Sequence, residues 1–474
     1  MRRLVCVSNR VGPVNDVGRA GGLAVALVEA LKAYSGIWYG WSGKLDNQTG
    51  TRLSMESAGE LTLATLDLSE TEHQDYYNGF ANRCLWPLFH YRIDLTAFDR
   101  QYYQGYLRVN SKFAQGLFPL LKPDDLIWVH DYHFLVFANE LRRMGATQPM
   151  GFFLHIPFPS KEVFATLPNH DALVRALFAY DVLGFQTEAD VERFADYVVG
   201  EEGGTRDGDR ISAFGRTIQA KAFPIGIDTD AFAETAATAP EAIRQYNAMV
   251  NMLQGRTQVI GVDRLDYTKG LPERFQAFQR LLEDYPETRR RMTFLQIAPP
   301  SREQVEEYQD IRHELEGMTG HINGLYGEFD WTPLRYINRP FARRALAGLF
   351  RASKIGLITP LRDGMNLVAK EFVAAQDPED PGVLILSRFA GAARQMHSSL
   401  IVNPYDIKGV ADALQVARYM PIEERKDRFD DLMRGMKADD VAHWRDQFIT
   451  ALTNCDPSIN GVLHVEDAQT APVD

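Results

Sequence analysis

Short apolar runs alternate with helical patterns along most of this sequence. Runs that predict buried strands cover residues 3–8, 37–42, 126–129, 150–154, 182–185, 258–262, 292–297, 354–358, 382–386 and 400–402. Between many of them, apolar residues recur at the spacing of an amphipathic helix, as over residues 366–376 and from 406 to about 453. Strands that alternate with helices predict an α/β fold with parallel sheets, whose ligand sites lie at the carboxyl ends of the strands.

The length of the chain predicts more than one domain. A chain of 474 residues exceeds the size that one hydrophobic core usually supports, so we expect two domains with a crevice between them. Residues 224–230 precede a long polar helix, and we place the domain boundary there. A glycine- and charge-rich stretch at 200–209 predicts a surface loop or a hairpin turn, and residues from Pro457 onward have the composition of a poorly ordered tail.

Composition and charge narrow the class of protein. A hydrophobic content of 45% and a charged content of 24% are typical of a soluble globular enzyme, and no apolar run is long enough to span a membrane. The formal net charge of −12 argues against nucleic acid or an anionic membrane as a partner. The sequence begins without a signal-peptide pattern, and the three cysteines are too far apart for a disulfide framework or a zinc site. We therefore expect a cytoplasmic protein.

The turn at Asp363 and Gly364 carries the first candidate chemistry. It lies between a predicted strand and a predicted helix, whose start would present N–H groups and a positive dipole end to a phosphate. Asp363 would stand at the mouth of that site, and Glu371 would lie roughly 8–9 Å along the helix, about a nucleoside's reach away. One carboxylate for a sugar and one for a ribose suits a nucleotide-sugar enzyme. Carboxylates near a helix start also act as caps, and the spacing alone favours that interpretation.

Four cations fall in predicted strand-to-helix loops, which is where an acidic protein would need them for phosphorylated ligands. They are Arg10, Arg264, Lys269 and Arg302. Arginine suits bidentate contact with phosphate, and lysine acts as a point charge. Each could alone be a surface residue, but the shared placement of all four favours a binding role.

Other patterns have a structural interpretation that competes with a functional one. The aromatic residues at 71–106 are expected to pack mostly in the core, with one or two available to stack on a sugar. The sequence HDYH at 130–133 lacks an evident third metal ligand, and Asp228 and Asp230 are more typical of a helix N-cap than of a metal site. The glycine pair in AGGL at 20–23 predicts a phosphate-binding turn, but it is not the G-x-G-x-x-G motif of a dehydrogenase.

Several motifs, taken in order, resemble those of the trehalose-6-phosphate synthases. In the N-terminal half they are NR at 9–10, AGGL at 20–23, WYGWSG at 38–43, LWP at 85–87, HDYH at 130–133 and FLHIPFP at 153–159. In the C-terminal half they are RLDYTKG at 264–270, YQDIR at 308–312 and DGMNLVAKE at 363–371. The likeness runs from residue 4 to about residue 455 without a large gap.

The resemblance implies a GT-B fold, in which two Rossmann-like domains face each other across a cleft. It implies an N-terminal acceptor domain over residues 1–235, a nucleotide-sugar domain over 236–435 and a helix at 436–455 that crosses back onto the first domain. The remaining residues, 456–474, are expected from their composition to form a disordered tail. The implied reaction is the transfer of glucose from UDP-glucose to the anomeric hydroxyl of glucose 6-phosphate, with retention of configuration. Its products would be UDP and α,α-trehalose 6-phosphate, which serves trehalose biosynthesis and the stress response.

The resemblance also implies the partners of the protein. The two substrates are small molecules, and no cofactor, metal ion, nucleic acid or membrane is expected. Related enzymes are often dimers or tetramers, which implies a homo-oligomer.

Residues that match the family's motifs can be carried over one by one. Those expected to bind glucose 6-phosphate are Arg10, Tyr77, Trp86, Asp131 and Arg302. Those expected to bind UDP-glucose are Gly22, His155, Arg264, Lys269, Asp363, Met365, Asn366, Leu367, Val368 and Glu371. The expected catalytic residues among them are His155, Arg264, Lys269 and Asp363. Arg264 and Lys269 would contact the donor diphosphate, His155 and Asp363 the transferred glucose, and Glu371 the ribose.

Two other functions remain open from the sequence. The first is a retaining transferase of the same fold with another phosphorylated acceptor, such as glycerol 3-phosphate, because Arg10 and Arg302 would serve either phosphate. The second is a sugar-phosphate sensor without catalysis, which the intact set of candidate residues argues against. A phosphorylase of similar architecture would need a lysine that carries pyridoxal phosphate.

Overall fold

The computed structural model describes residues 2–12, 27, 31, 36–47, 53–59, 61–302 and 305–455. These residues belong to two compact units. The first unit takes residues up to Pro224 and from Arg445 onward, and the second unit takes residues Ile225–Trp444. Gly22, for which we predicted a binding role, lies outside the described residues. The tail at 456–474, for which we predicted disorder, also lies outside them.

The first unit contains a mostly parallel sheet of ten strands. The strands are β1 Leu4–Arg10, β2 Ile37–Leu45, β3 Leu53–Ala58, β4 Leu61–Leu68, β5 Leu126–His130, β6 Met150–Phe153, β7 Val182–Phe185, β8 Thr205–Asp207, β9 Arg210–Ala213 and β10 Arg216–Ala222. Their order across the sheet is β3-β4-β2-β1-β5-β6-β7-β10-β9-β8, with β3, β8 and β9 antiparallel to their neighbours.

The central strands of this sheet have the doubly wound order of a Rossmann fold. Taken along the chain as first to sixth, strands β1, β2, β4, β5, β6 and β7 lie in the order 3-2-1-4-5-6. The direction of winding changes between β1 and β5. Ligands bind such folds at this switch point, beyond the carboxyl ends of the two strands.

The helices of the first unit cover this sheet and include an unusual π-helix. The α-helices are α1 Glu70–Glu72, α2 Trp86–Phe89, α3 Arg100–Leu117, α4 Phe137–Arg143, α5 Lys161–Phe164, α6 His170–Leu177 and α7 Glu188–Glu201. The π-helix, His73–Leu85, joins α1 to α2 and contains Tyr76, Tyr77 and Phe80 of the aromatic tract. Most of that tract is buried, as predicted; for example, Tyr76 and Tyr106 are 0% exposed.

The second unit contains a six-stranded, fully parallel sheet. Its strands are β11 Thr257–Val262, β12 Met292–Ile297, β13 Leu334–Ile337, β14 Ile355–Ile358, β15 Val383–Ser387 and β16 Leu400–Val402. Their order is β13-β12-β11-β14-β15-β16, which is again 3-2-1-4-5-6, and the switch point lies between β11 and β14. Strands β12, β14 and β15 are buried along their whole length, as both faces of a helix-covered parallel sheet should be.

The helices of the second unit follow the strands, as predicted for an α/β fold. They are α8 Thr229–Thr238, α9 Pro240–Leu253, α10 Leu271–Asp284, α11 Glu306–Tyr326, α12 Arg343–Ala352, α13 Leu367–Ala374, α14 Ile407–Tyr419 and α15 Ile422–Ala438. Asp228 caps α8 through its side chain, which accepts a hydrogen bond from the N–H of Ala231, so the N-cap interpretation is confirmed. No helix in the described part of the chain is both long and apolar enough to cross a membrane.

The last helix, α16 (Val441–Asn454), passes from the second unit to the first, and Phe448 anchors it to the first sheet. The Phe448 ring is 0% exposed and lies 4.7 Å from the Trp128 ring and 5.1 Å from the Phe223 ring, between centroids. A Cβ on Gly151 or Gly184 would come within 2.8 Å of the same ring. Two glycines on adjacent strands therefore create the space that the phenylalanine fills.

We predict that Phe448→Ala destabilises the first unit by about 3–5 kcal/mol, because it removes a fully buried aromatic ring and leaves a cavity. The midpoint of urea unfolding, followed by tryptophan fluorescence, measures this loss. The matched control is Gln447→Ala, at an exposed position of the same helix. An equal effect of the two substitutions would contradict the anchoring role of Phe448.

Candidate active site

The loops that follow β11 and β14 meet at the switch point of the second sheet. The loop after β11 passes through a 3₁₀ turn, Tyr267–Lys269, and reaches Gly270. Gly270 has a φ of +66°, and a Cβ at this position would lie 2.4 Å from the carbonyl oxygen of Thr359. Only glycine combines this conformation with so close an approach, which brings the first loop against the end of β14.

The loop after β14 ends at the N-terminus of α13. Asn366 is the N-cap residue, and its Oδ1 atom accepts a hydrogen bond from the N–H of Ala369 at 3.2 Å. Leu367 and Val368 lie in the first turn of the helix and are partly exposed. Because the N–H groups of a first turn lack acceptors within the helix, this end offers donors and a positive dipole to an anion.

The loop after β15 fixes the backbone of that turn from the other side. The N–H of Asp363 donates to the carbonyl of Phe389, and the N–H of Gly391 donates to the carbonyl of Asp363, both at 3.1 Å. The carbonyl of Met365, a residue that is 3% exposed, accepts from the N–H of Ala392 at 2.8 Å. The backbone at 363–365 is therefore held in place by hydrogen bonds within the protein.

An ion pair between Lys269 and Asp363 joins the two loops. The Nζ atom of Lys269 lies 2.6 Å from Oδ2 of Asp363, which also accepts a hydrogen bond from Nδ2 of Asn366 at 3.1 Å. The two charged side chains are only 10% and 16% exposed, so water and salt screen the pair weakly. A cation, a carboxylate and a helix N-terminus thus lie together at the switch point.

Glu371, four residues into α13, is paired with Arg343 of α12. The Nε atom of Arg343 lies 2.9 Å from Oε1 of Glu371, and the guanidinium also lies over the ring of Phe232 at 4.7 Å. Burial raises the pKa of Glu371, and the charge of Arg343 partly offsets that rise. Arg343 therefore fixes the orientation of a carboxylate near the start of the helix.

Arg264 and Arg302 both approach the buried carboxylate of Asp266. The Nη2 atom of Arg264 is 3.9 Å, and the Nη1 atom of Arg302 3.7 Å, from Oδ2 of Asp266. The Arg264 side chain is 50% exposed, whereas that of Arg302 is 5% exposed. Burial alone would raise the pKa of Asp266, but the neighbouring cations, Arg302 above all, hold it below its ordinary value.

Arg274, on the inner face of α10, connects the structural parts of this site. Its guanidinium is 0% exposed and lies 2.6 Å from Oδ2 of Asp263. It also donates to Oγ1 of Thr359 and to the carbonyl of Lys269, both at 3.0 Å. A buried guanidinium is stable only when its donors are satisfied, and here they hold the ends of β11 and β14 in one arrangement.

The switch point of the first sheet places Arg10 beside an aromatic residue. Arg10 ends β1 and is exposed, and its guanidinium carbon lies 5.8 Å from the centre of the Trp41 ring. Gly43 has a φ of +88°, and a Cβ there would lie 2.7 Å from Nη2 of Arg10. The glycine therefore leaves space for the guanidinium at the end of the strand.

Tyr77 and Trp86 lie on the π-helix and at the start of α2. The Tyr77 ring stacks on His73 at 5.2 Å and on His133 at 5.9 Å, and it is only partly buried. Trp86 is 5% exposed, and its ring centre lies 5.7 Å from that of Tyr132. Tyr77 thus offers part of its surface to a ligand, whereas Trp86 is almost fully packed.

Asp131 and His155 are in contact at the ends of β5 and β6. Asp131 has a φ of +77°, and its Oδ1 atom accepts a hydrogen bond from the backbone N–H of His155 at 3.2 Å. The Nε2 atom of His155 lies 3.1 Å from Nδ1 of His130, and the Nδ1 atom of His155 lies 3.4 Å from Nε2 of Gln186. Burial lowers the pKa of His155 to about 3 and also lowers that of His130, so both rings are neutral at pH 7.

The candidate residues named from the sequence fall into two groups. Arg10, Tyr77, Trp86, Asp131 and His155 belong to the first unit, and the other described ones, including Arg302, belong to the second unit. Sequence reasoning missed the residues that hold these groups in place: Asp266, Arg274, Arg343, Tyr308, His130 and Gln186. Arg274 had a usable signal, because it is a charged residue among the apolar positions of an amphipathic helix.

The fold and the site together define the class of protein. Two Rossmann-like sheets, with cations, carboxylates and a helix N-terminus at their switch points, are the features of a GT-B glycosyltransferase. The sequence model of glycosyltransferase family 20 matches residues 11–454. The chain therefore belongs to glycosyltransferase family 20.

Individual relatives agree with this assignment over nearly the whole chain. The trehalose-6-phosphate synthase of Citrobacter koseri is 49% identical over 474 residues, which is 100% of this chain and 99% of the relative. A Burkholderia xenovorans α,α-trehalose-phosphate synthase (UDP-forming), solved in complex with glucose-6-phosphate, is 51% identical, with a TM-score of 0.92 over 95% of this chain and 100% of that one. An E. coli structure bound with UDP-2-fluoro glucose is 49% identical, with a TM-score of 0.91 over 95% and 99%.

We predict that stability falls in acid because His155 and His130 must gain protons on unfolding. A histidine whose pKa is lower in the folded state than in the unfolded state stabilises the fold fully above about pH 6.5. This stabilisation is lost as the pH falls toward the pKa of the folded state. The slope is about 1.4 kcal/mol per pH unit for each histidine. Urea unfolding at a series of pH values between 7.5 and 5 measures it.

His130→Gln should flatten this pH dependence because it removes one of the two groups. The matched control is His397→Gln, at an exposed position of the second unit, which should keep the wild-type slope. If His130→Gln and wild type lose stability equally in acid, the buried neutral pair is not the cause.

Proposed function

We propose that this protein transfers glucose from UDP-glucose to the anomeric hydroxyl of glucose 6-phosphate and forms α,α-trehalose 6-phosphate and UDP. The relatives that support this assignment match nearly the whole length of this chain. The observation that carries the proposal is the Lys269–Asp363 pair at the N-terminus of α13, since it joins a phosphate-binding cation to a sugar-binding carboxylate.

The second unit would hold the donor. Lys269, Arg264 and the first N–H groups of α13, at Leu367 and Val368, would surround the diphosphate. The contacts of these cations and N–H groups with the diphosphate would strengthen as UDP departs, because negative charge accumulates on the diphosphate in the transition state. Asp363 would accept hydrogen bonds from hydroxyls of the transferred glucose.

The N-terminus of α13 and Glu371, in the middle of this helix, would then bind different parts of the nucleotide sugar. The backbone at Met365 and Asn366 would lie against the diphosphate. Glu371, oriented by Arg343, would accept hydrogen bonds from the ribose hydroxyls. The nucleotide would thus lie along one helix, with its charged part at the positive end.

The acceptor would contact Arg10 and aromatic rings of the first unit. Arg10 and Arg302 are the cations that we assign to the phosphate of glucose 6-phosphate. Tyr77 and Trp86 would contact the acceptor, and Asp131 would accept hydrogen bonds from its sugar hydroxyls. His155, neutral at pH 7, would contact the transferred glucose.

The mechanism that fits these groups is attack from the same face of the sugar that UDP leaves. The bond between the anomeric carbon and the diphosphate oxygen breaks, and the acceptor's anomeric oxygen forms the new bond. A diphosphate oxygen takes the acceptor's proton, so no carboxylate nucleophile is needed. A trapped covalent glucosyl–Asp or glucosyl–Glu intermediate would contradict this mechanism.

We also propose that the enzyme works in the cytoplasm as a homo-oligomer. The three cysteines are free, and Cys6 and Cys84 are buried, which suits a reducing compartment. Sedimentation of the purified protein tests the oligomeric state.

The first experiment is product analysis with purified protein, UDP-glucose and EDTA, with either glucose 6-phosphate or glycerol 3-phosphate as the acceptor. We predict an α,α-1,1-linked disaccharide phosphate with glucose 6-phosphate only, identified by NMR. Product with glycerol 3-phosphate alone would overturn the acceptor assignment. No product with either acceptor would overturn the enzymatic proposal for this donor.

We further predict that Arg264→Ala or Lys269→Ala lowers kcat/KM by at least ~10-fold, because each removes a charge-assisted contact of roughly 1.5–3 kcal/mol. Steady-state kinetics with UDP-glucose as the varied substrate measure the effect. The matched control is Lys408→Ala, an exposed lysine of the second unit that also pairs with an aspartate, Asp412. Unchanged kinetics in both site variants would contradict the donor assignment.

A further inference from the structure

Asp266 is a fully buried carboxylate between the two arginines to which we assign the substrates' phosphates. One of its oxygens, Oδ1, accepts hydrogen bonds from the N–H and Oγ1 of Thr268 at 3.0 and 2.9 Å. These bonds fix the carboxylate at the start of the 3₁₀ turn after β11. A buried carboxylate is costly unless opposite charges and hydrogen bonds compensate it, so the partners of its other oxygen explain why it is there.

The other oxygen, Oδ2, faces groups from two neighbouring loops. Arg264 comes from the loop after β11, and Arg302 from the loop after β12, and their guanidinium groups lie 3.9 and 3.7 Å away. The hydroxyl of Tyr308, on α11, donates to the same oxygen at 3.3 Å and accepts a hydrogen bond from Nη1 of Arg302. Asp266 thus forms ion pairs with both arginines, whereas the Tyr308 hydroxyl forms hydrogen bonds with Arg302 and Asp266.

Arg302 is held more firmly than Arg264. Its side chain is 5% exposed, its guanidinium lies over the Tyr308 ring at 5.6 Å, and its backbone has a φ of +49°. A residue other than glycine keeps such a conformation only where its surroundings enforce it. The Arg264 side chain is half exposed and has Asp266 as its ion-pair partner.

We propose that Asp266 is a positioning residue that orients Arg264 toward the donor diphosphate and, with Tyr308, orients Arg302 toward the acceptor phosphate. The inference rests on the proposed function, which assigns these two arginines to the two substrates. A flexible arginine loses rotamer freedom when it binds phosphate, and a fixed carboxylate removes that freedom beforehand. One buried anion would thereby prepare both phosphate sites.

Two substitutions separate this role from simple structural support. Asp266→Asn keeps the Oδ1 acceptor for Thr268 and removes the charge. It should lower kcat/KM for UDP-glucose and for glucose 6-phosphate by about tenfold each. Tyr308→Phe removes only the hydroxyl that links Arg302 to Asp266. It should lower kcat/KM for glucose 6-phosphate by about 3- to 10-fold and leave the Kd of UDP within about twofold of wild type.

The second unit contains a cluster of the same chemistry that serves as a matched control. Asp412 on α14 accepts a hydrogen bond from the hydroxyl of Tyr285 at 2.7 Å and pairs with Lys408 at 2.7 Å. Asp412→Asn and Tyr285→Phe make the same two changes at partly exposed positions and should leave both kinetic constants and the UDP affinity unchanged. Thermal unfolding of all four variants shows which of them are folded.

Calorimetric titration with UDP gives a readout that does not depend on turnover. The proposal is overturned if Asp266→Asn matches Asp412→Asn in UDP affinity and in both kcat/KM values. It is also overturned if Tyr308→Phe weakens the binding of UDP by the same factor as it lowers kcat/KM for glucose 6-phosphate. If Asp266→Asn does not fold, the donor-versus-acceptor contrast in Tyr308→Phe decides the outcome. If wild type forms no disaccharide phosphate, the proposed function fails, and the loss or retention of UDP affinity in Asp266→Asn still decides whether Asp266 positions Arg264.

Discussion

The ion pair between Lys269 and Asp363 is the contact on which the candidate donor site depends. It joins the loops that follow β11 and β14, the two strands between which the second sheet changes its direction of winding. A charged pair with so little exposure is favourable only when its geometry is fixed, and the surrounding backbone supplies that geometry. Gly270 allows the two loops to approach closely, and the hydrogen bond between the N–H of Leu361 and the carbonyl of Thr268 ties their backbones together at 2.9 Å.

Beneath this pair lie charged groups that contact the residues we assign to the substrates. Arg274 donates a hydrogen bond to the backbone carbonyl of Lys269, Asp266 lies within 3.9 Å of Arg264 and of Arg302, and Arg343 pairs with Glu371. The first unit uses a similar arrangement, in which His130 and Gln186 flank the two ring nitrogens of His155. In both units, groups that could contact substrate lie at strand ends, and the groups that orient them lie one layer deeper.

The sequence predicted most of the central strands because they are continuous apolar runs that are buried on both faces. It missed β3, β4, β8, β9, β10 and β13, which lie at or near the sheet edges and carry polar residues. Positions at strand ends were found because parallel strands direct their carboxyl ends to one edge. The contact between the orienting residues Asp266 and Tyr308 was not found, because 42 residues separate these two in the sequence.

The cations near the switch point of the second sheet explain why an acidic chain can bind phosphorylated substrates. The net charge of −12 is spread over the whole sequence, whereas Arg264, Lys269, Arg302 and a helix N-terminus are gathered at one switch point.

A crystal structure of the protein with UDP tests most directly whether this switch point binds the donor. The diphosphate oxygens should lie within hydrogen-bonding distance, about 2.7–3.2 Å, of Nζ of Lys269 and of an N–H group at the start of α13. A diphosphate bound away from both groups would contradict the assignment of this switch point to the donor.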